Sequence, residues 1–303
     1  MKKAVSMICL LCFLFGILPA RAEAGWTSDE WNQVVARLLS FEPDPVPPSR
    51  RISLRQSDVY LTDPAEQRPE WLNVALMSTD ASDMRRNFGR SEAILVCRVN
   101  QKTSEIRLLS LPEYMKAMLP GCPNEIQLKY ANCFGGPLLA LDTINRELNL
   151  SVNRYCAINV DSFAEIIDGL NGVTMTLTDE EAEALGLGAG TQVLSGDDAV
   201  RYLKLRRQWD GALRFRLLLE ALLRQMAASG MISGALTLVD TMLHMIDTNL
   251  TLDEIVAFAF TLLDQQEMRG ILSSRLEADA EGHVSEAARQ AAHDFLYGGA
   301  NTP

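Results

Sequence analysis

The chain predicts an α/β fold, a sheet with helices on its faces. Three observations carry this. Apolar runs of strand length recur between residues 72 and 177. Segments with hydrophobic residues at i, i+3, i+4 and i+7 alternate with them. Turn-forming residues punctuate the joins. The composition, 48% hydrophobic and 22% charged over 303 residues, is that of a globular protein and suits one or two domains.

The first 24 residues read as a targeting segment. Lys2 and Lys3 precede the apolar stretch AVSMICLLCFLFGIL (4–18), and small-x-small patterns follow at Ala20–Ala22 and Ala22–Ala24. This is the pattern of a secretory signal peptide. An uncleaved anchor is the alternative, although a span needs about 20 apolar residues. In both cases the protein is expected outside the cytoplasm, in the cell envelope or secreted.

Residues 25–70 read as an N-terminal helix and an arm. Trp31, Val34, Val35, Leu38 and Leu39 share one side of a helix over 27–41, and the four prolines of EPDPVPPSR (42–50) end it. The main domain is expected over 71–275. LNVALMS (72–78), AILVCRV (93–99) and EIRLLSL (105–111) are strand-like, and residues 100–103 suit a turn between the last two. Residues 137–148 have helical spacing. NRYCAINV (153–160) is a strand. Phe163, Ile166, Ile167 and Leu170 mark a helix with Asp161 as its expected N-cap, and VTMTL (173–177) is another strand. Ser195 opens a further helix, and Phe215, Leu218, Leu219, Leu222, Leu223 and Met226 form a core stripe on the next. The apolar, methionine-rich stretch 226–265 is either plain core or the lining of an apolar cavity. Residues 276–303 hold a last helix (285–297) and a tail.

Four cysteines lie beyond the targeting segment. Cys97 and Cys156 sit in strand-like runs and read as buried thiols, whereas a Cys122–Cys133 bridge is plausible in an exported protein. Three histidines make a zinc site improbable. A net charge of −11 argues against nucleic acid as a partner.

Against this acidic background, LKLRRQWDGALRFR (203–216) concentrates Lys204, Arg206, Arg207, Arg214 and Arg216. A solvated face is one reading. The other is a phosphate site, because guanidinium forks match phosphate oxygens. Arg216 lies four residues before Glu220 and reads as a solvated pair. Trp209 reads as a lid over its neighbours.

Seven segments in order resemble the LytR–CpsA–Psr family of cell-envelope proteins: LNVALMSTD (72–80), GRSEAILVCRVNQKT (89–103), LLSLP (108–112), LKYANCFGGP (128–137), INVDSFAEIIDGLNGVTMTL (158–177), GTQVLSGDDAVRYLKLR (190–206) and TNLTLDEIV (248–256). The resemblance implies a single α/β/α domain, with a central mixed sheet, helices on both faces and an apolar cavity. It implies transfer of a glycopolymer from a polyprenyl pyrophosphate carrier to a peptidoglycan hydroxyl, with polyprenyl phosphate released. The partners so implied are the lipid-linked glycan, peptidoglycan and, through the lipid, the membrane surface.

Carried over position by position, Asp80, Arg90 and Glu92 are the expected catalytic group, and Asp80 and Glu92 would hold Mg2+. Arg90, Lys204, Arg206 and Arg214 would bind phosphate. Asp83 and Arg85 lie between as supporting groups. The chain departs from the family's pattern. Glu92 stands for an aspartate and Glu113 for an arginine. One extra residue separates Asp210 from Arg214, and Leu217-Leu218 replace Arg-Gln. Three readings follow: an active transferase, a module that binds polyprenyl pyrophosphate with weakened chemistry, or an unrelated secreted α/β protein with a basic surface patch.

Overall fold

The computed structural model describes residues 50–62, 68, 70–81, 88–205, 211–228, 239–241, 243, 245–263 and 271–298, with isolated positions between 27 and 46. Ten strands are described: β1 Trp71–Thr79, β2 Ser91–Asn100, β3 Ile106–Leu111, β4 Lys116–Ala117, β5 Ile126–Gln127, β6 Arg154–Asn159, β7 Val173–Leu177, β8 Gly190–Leu194, β9 Asp247–Thr248 and β10 Ile271–Arg275. Seven α-helices accompany them: α1 Ala131–Leu148, α2 Val160–Gly169, α3 Asp179–Leu185, α4 Gly196–Leu203, α5 Gly211–Ala228, α6 Leu252–Leu263 and α7 Glu286–Tyr297.

Six strands form one mixed sheet in the order β10-β3-β2-β1-β6-β9. β1 runs antiparallel to β2 and parallel to β6, and β3 runs antiparallel to β2 and parallel to β10. The central strands read as unbroken apolar runs because both faces are covered. Alternation sorts their side chains. Leu72, Val74, Leu76, Leu95, Cys97, Cys156 and Ile158 join an upper core with α2, α5 and α6. Ala75, Met77, Ile94, Val96 and Ala157 join a lower core with α1 and α7. The architecture is the α/β/α domain expected, with an apolar cavity of ≈ 100 Å³ in its upper layer.

Other expectations need correction. VTMTL is a strand, but it pairs with β8 in a separate hairpin and not in the central sheet. The N-cap of α2 is Asn159, whose side chain accepts the Ser162 N–H at 2.6 Å, while Asp161 lies inside the first turn. Cys122 and Cys133 do not form a bridge: all four described cysteines are free. Cys133 is buried in the first turn of α1, Cys122 is half-buried in the turn after β4, and the β5 strand intervenes. Arg216 does pair with Glu220, at 3.7 Å, but their side chains are 17% and 16% exposed, so the pair is largely buried rather than solvated.

Residues 1–24 lie outside the described residues, as do Trp31, Val34, Val35, Leu38 and Leu39. Positions 28, 29, 32, 33 and 36 of the expected first helix are helical. The tail beyond 298 is also outside them. Among the described residues, no helix is long and apolar enough to cross a membrane.

The arm from 50 to 62 folds onto the domain. Buried Asp142 accepts the Tyr60 N–H at 2.7 Å, and buried Asn145 donates to the Tyr60 carbonyl at 2.7 Å. Ile52 N–H donates to the Phe134 carbonyl at 2.8 Å. That contact needs a special backbone. α1 is kinked at Gly135-Gly136, where Gly136 has φ 72°, and Pro137 starts the longer part of the helix. A Cβ on Gly135 would come within 2.5 Å of the Ile52 carbonyl oxygen.

Candidate active site at the carboxyl end of β1

Asp80 follows the last residue of β1, and Arg90 precedes the first residue of β2. The two close the strand pair. Asp80 N–H donates to the Arg90 carbonyl at 3.1 Å, and Arg90 N–H donates back to Asp80 Oδ1 at 2.5 Å. Arg90 Nε donates to Asp80 Oδ2 at 2.7 Å. Gly89 permits this approach, since a Cβ there would sit 2.3 Å from the Ala81 nitrogen and 2.8 Å from Asp80 Oδ1.

Glu92 completes the group. Ser78 pairs with Ala93 and Thr79 with Ser91, so Glu92 is the extra residue of a β-bulge. Its Oε1 lies 3.3 Å from Arg90 Nε. One guanidinium therefore bridges two carboxylates. Burial opposes the charge on Arg90, but the hydrogen bond and charge of Asp80, followed by Glu92, raise its pKa above the usual arginine value. Burial pushes Glu92 above the usual carboxylate range; Asp80 and Glu113 push the same way, and Arg90 and Lys129 oppose them.

The first turn of α1 forms the floor. Asn132 Nδ2 donates to the Gly89 carbonyl at 2.7 Å and so fixes the residue before Arg90. Tyr130 is buried, and its hydroxyl senses Arg90, Glu92 and Asp80. Lys129 lies with its ammonium 5.2 Å from the Tyr130 ring centre. Its N–H donates to the Glu113 carbonyl at 3.1 Å, which brings Glu113 against the group. Lys129 and Tyr130 were not singled out as site residues from the sequence. The signal available was their place in LKYANCFGGP, immediately before the glycine pair.

The cationic residues further along are placed differently. Lys204 is exposed at the end of α4. Arg214 donates to the Leu205 carbonyl, and its guanidinium carbon lies 5.8 Å from the Tyr202 ring centre. It lines an acidic cleft with Thr178, Glu180, Glu181 and Glu183. Arg206, Arg207, Trp209 and Asp210 lie outside the described residues, as do Asp83 and Arg85. The structure thus brings Asp80, Arg90 and Glu92 together and sets Lys204 and Arg214 beside α4.

The apolar cavity shares its strands with the acidic group. Leu76 of β1 and Ile158 of β6 line it, and the same strands end at Thr79 and Asn159. Phe163, Phe215, Leu219 and Phe258 close it from the helices, with the Phe163 and Phe215 rings 5.6 Å apart. In open α/β sheets ligands bind at the carboxyl ends of strands.

The LytR_cpsA_psr family matches residues 50–293. The chain belongs to that family. A Halalkalibacterium halodurans protein named polyisoprenyl-teichoic acid–peptidoglycan teichoic acid transferase TagU is 29% identical over 176 residues, covering 54% of this chain and 57% of that protein. The Bacillus subtilis TagU is 24% identical over 213 residues, covering 68% of this chain and 64% of that protein. The chain therefore spans less than two thirds of either relative. Two solved LytR_cpsA_psr-type folds superpose well. TagT with bound octaprenyl pyrophosphate lipid gives a TM-score of 0.63 at 20% identity, covering 81% of this chain and 98% of that one. B. subtilis TagV gives 0.62 at 18% identity, covering 76% and 98%.

Magnesium is the ion expected from the sequence at Asp80 and Glu92. Among the described residues, no three of His, Cys, Asp and Glu converge to hold a metal. Magnesium commonly uses one or two carboxylates, with substrate phosphates and waters completing an octahedron. Asp80 and Glu92 are two carboxylates already turned to one cation, Arg90. Their chemistry fits.

Proposed function

We propose that this protein transfers a phosphate-linked glycopolymer from a polyprenyl pyrophosphate carrier to a hydroxyl of peptidoglycan. The observation that carries this is the joint placement of a carboxylate–guanidinium group at the carboxyl end of β1 and an apolar cavity lined by Leu76 of that strand. TagU relatives are named for such a transfer, and TagT has been seen with octaprenyl pyrophosphate.

In the reaction, the acceptor oxygen forms a new bond to the glycan-side phosphorus. The P–O bond to the lipid phosphate breaks, and polyprenyl phosphate leaves. Arg90 stabilises the charge that gathers on the phosphate oxygens, a contribution of about 3 kcal/mol for a well-placed donor. Asp80 and Glu92 are the carboxylates available to take the acceptor's proton or to hold Mg2+. Bound there, Mg2+ would neutralise phosphate charge and polarise the phosphorus. Tyr130 and Asn132 set the floor and fix the Arg90 segment.

The cavity of ≈ 100 Å³ is smaller than the about 150 Å³ that accepts benzene in another protein. Holding a prenyl chain would require this space to widen. A donor of this kind is met on the outer face of the membrane, which fits the export signal read in residues 1–24 and an extracytoplasmic location.

Two features favour the second reading, a lipid-binding module with slow chemistry. Glu113 bears on Glu92 with a like charge, and Arg214 is engaged by the Leu205 carbonyl just past α4. Turnover separates the two. The purified protein is incubated with a polyprenyl-pyrophosphate-linked glycan and peptidoglycan, with and without Mg2+. Polymer on peptidoglycan together with free polyprenyl phosphate supports the transferase. Tight binding of the donor without release supports the module. Neither binding nor release refutes both.

A further inference from the structure

The helical roof of the apolar cavity is apolar on its outer side as well. α6 shows this most plainly. Its inner face, Ile255, Phe258 and Ala259, is buried, and Phe258 lines the cavity. Its outer face carries Leu252, Val256 and Phe260 at i, i+4 and i+8, exposed to 58%, 37% and 37%. Residues 255–263, IVAFAFTLL, hold no charge. A surface helix ordinarily turns a polar face outward. Neighbouring roof elements repeat the pattern. Thr241 and Ile246 line the cavity while Leu243 between them is exposed, and Leu219 of α5 lines it while Leu217 is exposed.

Charge and area decide what covers the α6 face. Glu254, at the amino end of α6, is held by Arg154 at 2.8 Å, so that charge is already paired. The net charge of −11 opposes adsorption to an anionic surface, so contact with a membrane has to be apolar. A second copy of the chain fits poorly. Three side chains along about 12 Å of helix cover far less than the ~800 Å² per partner of a stable interface. A bilayer needs no matching surface: an apolar helix face sinks about 5–10 Å into the boundary between headgroups and acyl chains.

We propose that the outer face of α6, Leu252, Val256 and Phe260, docks the domain on the lipid bilayer that holds the donor. This rests on the function proposed above, because the donor named there is a membrane lipid. With α6 in the boundary, a prenyl chain passes between bilayer and cavity across one helix instead of through water.

The test follows tryptophan fluorescence of the full chain on phosphatidylcholine vesicles, with and without brominated acyl chains that quench nearby indoles. Phe260→Trp is compared with Val193→Trp, an exposed control on the β7–β8 hairpin. Both variants keep the native tryptophans and residues 1–24, so their difference reports the α6 face alone. Quenching is expected to be at least about twofold greater for the Phe260→Trp indole and to persist at high salt, as apolar insertion requires. Equal quenching in the two variants overturns the docking. So does quenching that salt abolishes. A blue shift of Phe260→Trp that follows protein concentration and not vesicles also overturns it, and assigns the face to a second copy. The double variant Val256→Ser, Phe260→Ser should slow transfer from a vesicle-embedded donor about tenfold, the size of one apolar side chain returned to water. Its binding of farnesyl pyrophosphate in solution should stay unchanged. If wild type does not bind farnesyl pyrophosphate, the proposed function fails; if it binds and the two tryptophans quench alike, the docking alone fails.

Discussion

Arg90 gives Asp80 two hydrogen bonds at once, one from its backbone N–H and one from its guanidinium. The pair is both a strand closure and a charged site. A single substitution there consequently disturbs two properties, chemistry and the β1–β2 junction. Side chains at the rim of this pair are better probes of each property separately.

Glu92 is such a probe. Its folded-state pKa is raised, so the unfolded chain gives up the proton at lower pH than the folded one. Ionisation of Glu92 therefore lowers stability as pH rises from the usual carboxylate range through its raised folded value. Glu92→Gln lacks this loss. Its melting temperature should rise relative to wild type as pH increases from about 4 towards neutrality. A constant difference across that range would contradict the assigned environment. Its side chain is 43% exposed, so the effect should be modest.

Arg107 tests how the last helix is held. Buried in β3, it donates to the carbonyls of Phe295 at 2.8 Å and Gly298 at 2.6 Å, and pairs with Glu105. It thereby satisfies the free carbonyls at the end of α7. Arg107→Ala should cost roughly 3 kcal/mol in denaturant unfolding. Hydrogen exchange should quicken first across α7.

The cavity can be filled without touching the charged group. Leu219 lines it from α5. Leu219→Trp should weaken a long-chain prenyl pyrophosphate by about tenfold or more, since each excluded CH2 forfeits about 0.8 kcal/mol. Inorganic pyrophosphate should bind as before. Unchanged lipid affinity, measured by calorimetry, would place the tail elsewhere.

Glu113 is the departure that bears directly on the charge of the site, because it acts on Glu92. Glu113→Arg reverses it. The account expects an increase of about tenfold in kcat/KM with a lipid-linked donor, within the range of one oriented cation. No gain in steady-state kinetics would show that another group already does this work.

The central sheet was legible because strands buried on both faces leave long apolar runs, as in LNVALMS and AILVCRV. Ser195 was legible as a cap because its partner is three residues away, where its hydroxyl accepts the Asp198 N–H at 3.2 Å. Asn159 was missed because it belongs at once to a strand end and a helix start. The two-residue strand β9 exists only through pairing with β6, which no local pattern announces. Burial of Arg216 was hidden for a related reason: helical spacing finds its partner Glu220 but not the elements packed over both. At the site, Asp80, Arg90 and Glu92 lie within thirteen residues and stand out as charges beside apolar strands. The segment of Tyr130 and Asn132 reaches the same place from a distance in sequence, through tertiary contacts such as the Asn132 bond to the Gly89 carbonyl.

The most direct measurement compares release of polyprenyl phosphate from a lipid-linked donor by wild type and by Asp80→Ala, at matched donor occupancy. The account predicts release by wild type and a loss of at least about a hundredfold in the variant, with donor still bound in the cavity. Equal release by both proteins would contradict a reaction centred on Asp80, Arg90 and Glu92.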